Sequence, residues 1–306
     1  MILKRRVTSS EVKYTIPSGQ IIEIPDYFPQ TDMLVQLGYA PSVRIVNDTI
    51  ILSQSFDGLG AIYQHGPNLG DKLLFRLRGT GNTLQNVLFD DNWFAGGVNG
   101  VVSVEGDSNT LRKCGLINCE RYGFLYWDAK NFKIVENDIK HAQHCISGAT
   151  SGSQPLSYDG FIEHNTIAGM ILEGIKLKHG QNIKARYNEI DVSATYPGYR
   201  GDPRTFSKQG IYFSHDGPNI DCLAEENHIY VSVPSSIPSY GILAENNEYG
   251  AAPLIPSTGN KIINNPIEKC KWGVYLRGDN YTVERNPMTD VTIRYTDLGK
   301  NNIIIE

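Results

Sequence analysis

Residues 165–190 read NTIAGMILEGIKLKHGQNIKARYNEI, and this stretch contains the two features that decide the fold. It begins with Asn165-Thr166-Ile167 and ends with Asn188-Glu189-Ile190, which is the same Asn-x-Ile triplet 23 residues later. Between the triplets, Gly174 is followed by Ile-Lys-Leu-Lys. This alternation of apolar and polar residues is typical of a β-strand.

The asparagine triplet recurs along the chain in the form Asn, any residue, apolar residue. Its copies are Asn86-Val87-Leu88, Asn137-Asp138-Ile139, Asn165-Thr166-Ile167, Asn188-Glu189-Ile190, Asn227-His228-Ile229, Asn265-Pro266-Ile267 and Asn286-Pro287-Met288, and Cys114-Gly115-Leu116 takes the same place once. The spacings range from 21 to 39 residues, with several at 21 to 23. A constant minimum with longer excursions indicates a structural coil that carries loops of variable length.

A glycine introduces a second strand in most of these coils. The marker positions are Gly100, Gly123, Gly174, Gly210, Gly241 and Gly273, with Cys145 in one copy. Each coil is too thin to bury its own apolar face, so neighbouring coils must close a shared core. Asparagine tolerates the left-handed conformation of a sharp bend, and side-chain amides stacked about 4.8 Å apart can bond in a ladder. The pattern therefore predicts an all-β fold, a right-handed parallel β-helix, whereas the alternative of a β-sandwich with frequent asparagine turns predicts no fixed pairing of the two markers.

The markers also predict the domain organisation. Residues 71–306 form one continuous solenoid, with loop insertions that border one sheet face. Residues 1–70 lack the markers but retain strand-like pieces, so we expect irregular or capping coils there.

Composition narrows the classes of function. The 28 Lys and Arg against 33 Asp and Glu give a net charge of −5, which disfavours nucleic acid as a partner. The five cysteines form no CxxC pair, so no zinc site is indicated. No apolar run is long enough to span a membrane, and the basic triplet near Met1 has no apolar segment behind it, so this sequence shows no secretory signal.

The strand after each glycine defines what we call the site face, the side of the sheet directed away from the core. The first and third residues after the glycine point inward, so the second and fourth point outward. The outward columns are Lys176, Tyr212, Leu243 and Tyr275, and Lys178, Ser214, Glu245 and Arg277, while Leu125 and Trp127 extend them if Phe124 and Tyr126 point inward, which the sequence leaves open. At the fifth position, where the strand turns, stand Asp128, His179, His215 and Asn246.

Cations, acids and aromatic rings together on such a face are typical of a polysaccharide site. Four long insertions border the same strand, at 147–158, 192–209, 231–240 and 247–259, and one carries Tyr199, Arg200 and Arg204. The candidate catalytic residues are Lys176, Lys178, His179, Tyr212, His215 and Glu245. The candidate substrate-binding residues are Trp127, Asp128, Tyr199, Arg200, Arg204, Tyr275 and Arg277. The alternative is a solvated sheet face without function, and His141 and His144 are interpreted as structural.

The repeated Gly and Asn coil resembles the pectate-lyase-like β-helix superfamily, which includes polysaccharide lyases, hydrolases, epimerases and phage tailspike depolymerases. The resemblance covers roughly residues 70–290 and implies the fold but not the reaction. The segment from Tyr122 to Asp128 is similar to the epimerase motif Tyr-Gly-Phe/Ile-Asp-Pro-His-Asp/Glu at its ends. Its centre is Leu125-Tyr126-Trp127 here, which argues against epimerisation.

Three functions remain open at this level. A lyase would use a neutral Lys, His or Tyr as base, with a cation or Ca²⁺ to absorb the developing charge. A hydrolase would pair Glu245 with Glu173 or Asp216. The third is a non-catalytic adhesin or virion protein. All three are expected to be extracellular or virion-associated and to have a polysaccharide as partner, and the resemblance to tailspikes implies a homotrimer, although no coiled-coil segment is present.

Overall fold

The computed structural model describes residues 21–24, 42–45, 49–52, 55–66, 73–91, 100–149, 156–169, 172–192, 207–246 and 255–306. Within these ranges the regular structure consists of β-strands, and every strand pairing is parallel. The strands, numbered in chain order, stack into three parallel sheets that form the sides of a coil. This is the predicted parallel β-helix.

The Asn-led sheet contains the strands that follow the asparagine triplets. It consists of β1 (Ile21–Ile24), β2 (Ser42–Ile45), the ends of β4 (Phe56–His65) and β6 (Thr83–Asp90), the beginnings of β9 (Gly115–Lys130) and β11 (Asp138–Gly148), β14 (Thr166–Ala168), β18 (Glu189–Asp191), β22 (His228–Tyr230), β25 (Ile267–Glu268) and β28 (Met288–Thr289). Its first two strands come from the part of the chain without markers.

The Gly-led sheet carries the site face. It consists of β3 (Ile50–Leu52), β5 (Phe75–Leu77), β7 (Val102–Asp107), the ends of β9 and β11, β15 (Glu173–Leu177), β19 (Lys208–Phe213), β23 (Ser239–Ala244), β26 (Trp272–Leu276) and β29 (Ile293–Asp297).

The third sheet begins with the first residues of β4 and β6. It continues with β8 (Thr110–Arg112), β10 (Lys133–Val135), β13 (Phe161–Glu163), β17 (Lys184–Arg186), β21 (Leu223–Glu225), β24 (Lys261–Ile263), β27 (Thr282–Glu284) and β30 (Ile303–Ile305). Three two-residue strands, β12 (Ser157–Tyr158), β16 (Gly180–Gln181) and β20 (Asn219–Ile220), stack at the corner between the Gly-led and third sheets.

The core lies inside the coils and confirms the predicted alternation. In the Gly-led sheet, the inward residues of successive coils are fully buried, as Ile175 and Leu177 and then Ile211 and Phe213 show. Phe124 and Tyr126 are also buried inward, which settles the register of that coil and places Leu125 and Trp127 on the outward side. Each such side chain contributes roughly 1.5–3 kcal/mol by leaving water.

An asparagine ladder runs along one corner of the coil. The side-chain amide of each rung except the last donates to Oδ1 of the asparagine in the next coil, at 2.7 to 2.9 Å, and the rungs are Asn137, Asn165, Asn188, Asn227, Asn265 and Asn286. All six are at most 3% exposed. The ladder was predicted from the spacing of the triplets, and it fixes the alignment of every coil that follows.

Two details of the predicted ladder are wrong. Asn86 is not a rung, because Val87 occupies that position and Asn86 instead donates to Asp57 at 2.9 Å. The rung asparagines are not the left-handed residues either. The residues before them are, with φ of 48–58°, and these are Glu136, His164, Tyr187, Glu226, Asn264 and Arg285. The bend therefore occurs one residue early, which leaves the amide free to point along the stack.

Most of the predicted insertions lie outside the described residues, at 150–155, 193–206 and 247–254. The insertion at 231–240 is described, and it leads directly into β23 of the Gly-led sheet. Among the residues that the structure describes, no helix is long and apolar enough to cross a membrane.

Candidate active site

The outward side of the Gly-led sheet carries three columns of side chains. Pairing aligns Lys176 with Tyr212, Leu243 and Tyr275 in successive coils, as predicted. The fourth position forms a second column, which includes Lys178 and Glu245. The residues just before the glycine marker form a third column, which was not predicted from the sequence. Its members are Tyr122, His144, Glu173, Gln209, Tyr240 and Trp272.

Several of these outward side chains are buried, contrary to the alternative of a face that is solvated throughout, although Arg277 is exposed. Lys176 is 6% exposed, Tyr212 5% and Glu245 7%. A buried charge needs a partner of opposite sign, because leaving water is costly. The partners come from adjacent coils, and together they form what we call the polar cluster: His144, Glu173, Lys176, Lys178, Tyr212, His215, Asp216, Glu245 and Arg277.

The first half of the polar cluster is built around Lys176. His144 donates from Nδ1 to Glu173, and Glu173 Oε1 lies 3.9 Å from Lys176 Nζ. Lys176 Nζ donates to Asp216 Oδ2 at 2.8 Å, and Lys178 Nζ lies 3.7 Å from the same oxygen. Two ammonium groups thus share one carboxylate.

The second half of the polar cluster is built around His215. Its Nδ1 lies 2.5 Å from both the Tyr212 hydroxyl oxygen and Glu245 Oε2. Tyr212 also donates to Glu245, whose other oxygen accepts from Arg277 Nη1 at 3.1 Å. His215 Nε2 lies 3.2 Å from Asp216 Oδ1, so this ring joins the two halves into one network across five coils.

The network lowers the pKa of its carboxyl groups. Burial raises the pKa of Asp216, but Lys176 outweighs it and lowers the pKa to about 2. Burial also raises the pKa of Glu173 and of Glu245, yet His144 for the first and Tyr212 with His215 for the second bring each pKa below its ordinary value. All three carboxyl groups are therefore ionised at neutral pH.

The basic and phenolic groups of the polar cluster differ in the direction of their pKa shifts. Burial lowers the pKa of Lys178, Asp216 opposes this and Lys176 adds to it, so that the net pKa lies below the ordinary value. For Lys176, burial is outweighed by Glu173 and Asp216, and its pKa is raised. Burial and the Glu245 carboxylate raise the pKa of Tyr212. Lys178 is thus the better base and Tyr212 a firmly protonated donor.

The other predicted site residues fall in different places. His179 lies in the turn after β15 with φ of 54°, where its carbonyl accepts from the Ser157 N–H. Tyr275 stacks edge-on against Trp272 and Tyr240, at 5.7 and 5.3 Å between ring centroids. Trp127 and Asp128 line a separate pocket nearer the N-terminus. Tyr199, Arg200 and Arg204 lie outside the described residues.

Sequence reasoning missed His144 and Lys208. His144 stacks on Tyr122 at 4.4 Å between ring centroids and pairs with Glu173, so the structural interpretation of this histidine is incomplete. Reading the column before the marker would have found it, since it precedes Cys145 as Glu173 precedes Gly174. Lys208 is 3% exposed beside the cluster, and burial, which Glu173 opposes, lowers its pKa to about 8.

Comparison with known proteins agrees with this architecture. Residues 75–194, less than half of the chain, match the family described as periplasmic copper-binding protein (NosD). No curated protein matches the sequence. A protein of Geobacillus virus E2, ORF18, superposes with a TM-score of 0.62 at 12% identity over 94% of this chain and 55% of its own length, so the chain spans about half of that protein.

Two further structures are similar along nearly the whole chain. The alginate lyase of Paenibacillus sp. str. FPU-7 has a TM-score of 0.60 at 9% identity, covering 85% of this chain and 92% of that one. The tailspike protein of E. coli bacteriophage HK620, solved with a pentasaccharide, has a TM-score of 0.57 at 12% identity, covering 95% and 59%. This chain is a right-handed parallel β-helix. Identities this low establish the fold of the β-helix and leave its chemistry to the residues.

The name of the NosD family implies copper, but the residues described here do not fit it. Among them, there is no group of three or more His, Cys, Asp or Glu side chains that could hold a metal ion. Cys114, Cys119 and Cys145 lie in the matched range, and burial raises the pKa of each thiol. A buried, protonated thiol is a poor metal ligand.

Proposed function

We propose that this β-helix binds an acidic polysaccharide along the site face and cleaves it by β-elimination at the polar cluster, in an extracellular or virion-associated setting. The observation that carries the proposal is the contact of the Tyr212 hydroxyl with His215 and Glu245, beside the ammonium groups of Lys176 and Lys178. This places a protonated donor, a lysine of lowered pKa and fixed cations within one patch. β-Elimination from a uronate requires these three functions.

The roles follow from the protonation states. The neutral amine of Lys178 removes the proton from C5 of the uronate, the electron pair forms a C4–C5 double bond, and the C4–O bond to the neighbouring sugar breaks. Tyr212 donates its proton to the departing oxygen. Lys178 then releases its proton to solvent, and a proton from solvent restores the phenol through His215. Arg277, whose side chain is 58% exposed, offers its remaining N–H groups to the uronate carboxylate and stabilises the charge that develops on it.

The same protonation states disfavour hydrolysis. A glycoside hydrolase of the usual type needs one carboxylic acid whose pKa is raised so that it can protonate the leaving oxygen. Glu173, Asp216 and Glu245 all have a pKa below their ordinary values. None of these three groups of the polar cluster is therefore a carboxylic acid with a raised pKa.

A buried acceptor also favours a ligand rich in hydroxyl groups. Gln209 lies in the third column, and its Oε1 is buried without a hydrogen-bond partner among the described residues. Such orphaned atoms are rare because they forfeit a hydrogen bond to water. A sugar hydroxyl or a water molecule held beneath a sugar would satisfy it.

A second candidate, binding without cleavage, is favoured by the mutual pairing of the cluster. Glu173, Asp216 and Glu245 each already contact two or more partners. A network that satisfies itself in this way can serve as a rigid binding surface.

Product analysis separates these functions. The purified protein would be incubated with alginate, polygalacturonate, hyaluronan and neutral glucans, and products followed by ultraviolet absorbance of unsaturated ends and by reducing-end assay. Elimination predicts both signals together from at least one acidic glycan, and none from Lys178→Met or Tyr212→Phe. Lys133→Met is the matched control, since Lys133 is exposed on the third sheet. Reducing ends without absorbance would overturn elimination in favour of hydrolysis, and retained glycan binding without product would favour the second candidate.

A further inference from the structure

A second polar site lies on the same sheet, closer to the N-terminus. It is a pocket of about 370 Å³ formed by β5, β7 and β9, and it is lined by Arg76, Arg78, Gly79, Glu105, Gly106, Trp127 and Asp128. These residues belong to the two outward columns that the polar cluster also uses, with the turn residues after them. None of them belongs to the polar cluster.

Glu105 holds the two arginines of this pocket in place. Its carboxylate accepts from Arg76 Nε at 2.6 Å and Nη2 at 2.9 Å, and from Arg78 Nε at 2.8 Å. Ser103 Oγ donates to the same carboxylate at 2.5 Å. One buried carboxylate therefore orients two guanidinium groups, and three of their N–H groups are used in the bonds to it.

The rest of the pocket suits a sugar ring. The Arg76 guanidinium lies 5.4 Å from the centre of the Trp127 ring and fixes this indole, which is partly exposed. Gly106, with φ of 77°, forms a bulge in β7, and Gly79 faces it, so these two lining residues bring no side chain into the pocket. Asp128 lines the same pocket without an ion pair to either arginine among the described residues.

The pocket lies in line with the polar cluster. The coil of β11 separates the coil of Trp127 from that of Lys178, and it carries the small residues Ser147, Gly148 and Ala149 there. Coils are spaced about 4.8 Å apart, close to the length that one sugar ring adds to an extended glycan, so a chain spanning both sites needs about three rings.

We propose that this pocket is a carboxylate-binding subsite for a uronate unit of the same glycan chain, about two sugars away from the bond that is cleaved. The inference rests on the proposed function and deepens it. Arg78 and Arg76 receive the sugar carboxylate through paired N–H donors, because a guanidinium fork matches a planar carboxylate. Trp127 packs against the ring of the same sugar.

The test measures affinity in the Tyr212→Phe background, so that no ligand is consumed. The probes are hexamers and dimers of galacturonate and of mannuronate, each with its methyl ester as a neutral match. The variants are Arg78→Ala, Arg78→Lys and, as control, Arg112→Ala, an exposed arginine of the third sheet. Arg78 is the better target of the two arginines, because Arg76 alone still donates to both oxygens of Glu105, and we therefore expect the variant to fold.

Arg78→Ala is expected to weaken binding of an acidic hexamer about tenfold, the size of one charge-assisted hydrogen bond. Arg78→Lys recovers only part of this, while the dimer, the methyl ester and Arg112→Ala show no change. Equal weakening for dimer and hexamer, or for acid and ester, overturns the subsite, and so does an acidic hexamer that fails to bind. If Arg78→Ala leaves affinity intact while Lys178→Met abolishes cleavage, the subsite is refuted and the proposed function stands. If Arg78→Ala weakens binding of the acidic hexamer while Lys178→Met leaves cleavage intact, the subsite is supported and Lys178 is refuted as the base of the proposed reaction.

Discussion

Removing one rung of the asparagine ladder should destabilise the protein by an amount that depends on how many hydrogen bonds the rung makes. Asn188 sits in the middle, fully buried, and its side chain makes five hydrogen bonds within the described residues. Asn137 is the first rung, and its side chain makes three. Above it, the position of the rung is held by Cys114, whose N–H donates to Asn137 Oδ1 at 3.0 Å.

The magnitude follows from these counts. A hydrogen bond contributes about 1 kcal/mol net, and a buried donor left without a partner costs about 1–3 kcal/mol. Asn188→Ala removes Oδ1, the acceptor for both the backbone N–H and the side-chain amide of the preceding rung, Asn165, although that amide keeps its bond to Ile134 O. We expect a loss of about 5 kcal/mol in the free energy of unfolding for Asn188→Ala and about 3 kcal/mol for Asn137→Ala.

Urea unfolding followed by circular dichroism measures both values. The slope of free energy against urea should stay equal between the two variants, so that midpoints can be compared directly. A surface substitution such as Lys133→Ala, on an exposed side chain of β10, provides the reference and should shift the free energy by less than about 0.5 kcal/mol. If Asn188→Ala and Asn137→Ala prove equally destabilising, the ladder is not acting through its count of hydrogen bonds, and cavity formation alone would be the better explanation.

Three further outcomes are expected. Turnover should rise with pH through the lowered pKa of Lys178, because the base must be neutral, and Lys178→Met should remove activity at every pH; a rate that falls over this range would contradict the assignment. The pKa of Asp216 is about 2 in the folded protein against 3.8 ordinarily, so its stabilising contribution is fully present above about pH 4 and is lost as the pH falls toward 2; Asp216→Asn should flatten that part of an acid-unfolding curve. Ile211→Ala in the fully buried core should lower stability by about 2–5 kcal/mol in calorimetry or urea unfolding, and a smaller loss would indicate that the coil collapses around the cavity.

The fold could be predicted because its determinants are periodic. In most coils one amide and one glycine recur at fixed places, and stacking the coils aligns these residues. The prediction of the ladder failed where a triplet matched the sequence pattern but did not occupy the rung position in the structure. Asn86 begins a triplet of the right form, but the rung position of this coil lies one residue later. Only the pairing of β6 with β9 shows that Val87 occupies it.

The site was predictable as columns but not as a network. Lys176, Tyr212 and Glu245 were found from alternation along the strands, because alternation decides on which side of a sheet a residue lies. The burial of these side chains could not be predicted, because it depends on charged residues of neighbouring coils that come together only when the coils stack. His144 was missed because the column of residues before the marker was not read, and the assignment of Trp127 to the same patch overlooked the coil that separates it from Lys178.

The ladder also makes each coil a complete repeat unit with equivalent ends. Asn165 and Asn188 are 23 residues apart and hold equivalent rungs, so the chain segment between them is one complete layer with matching ends. Excising it would leave a shorter rod with an unbroken row of amides, yet it would take away Glu173, Lys176 and Lys178 and bring the Trp127 pocket one layer nearer to His215. Length and chemistry are thus coupled in this architecture, because each layer carries its own share of the reactive groups.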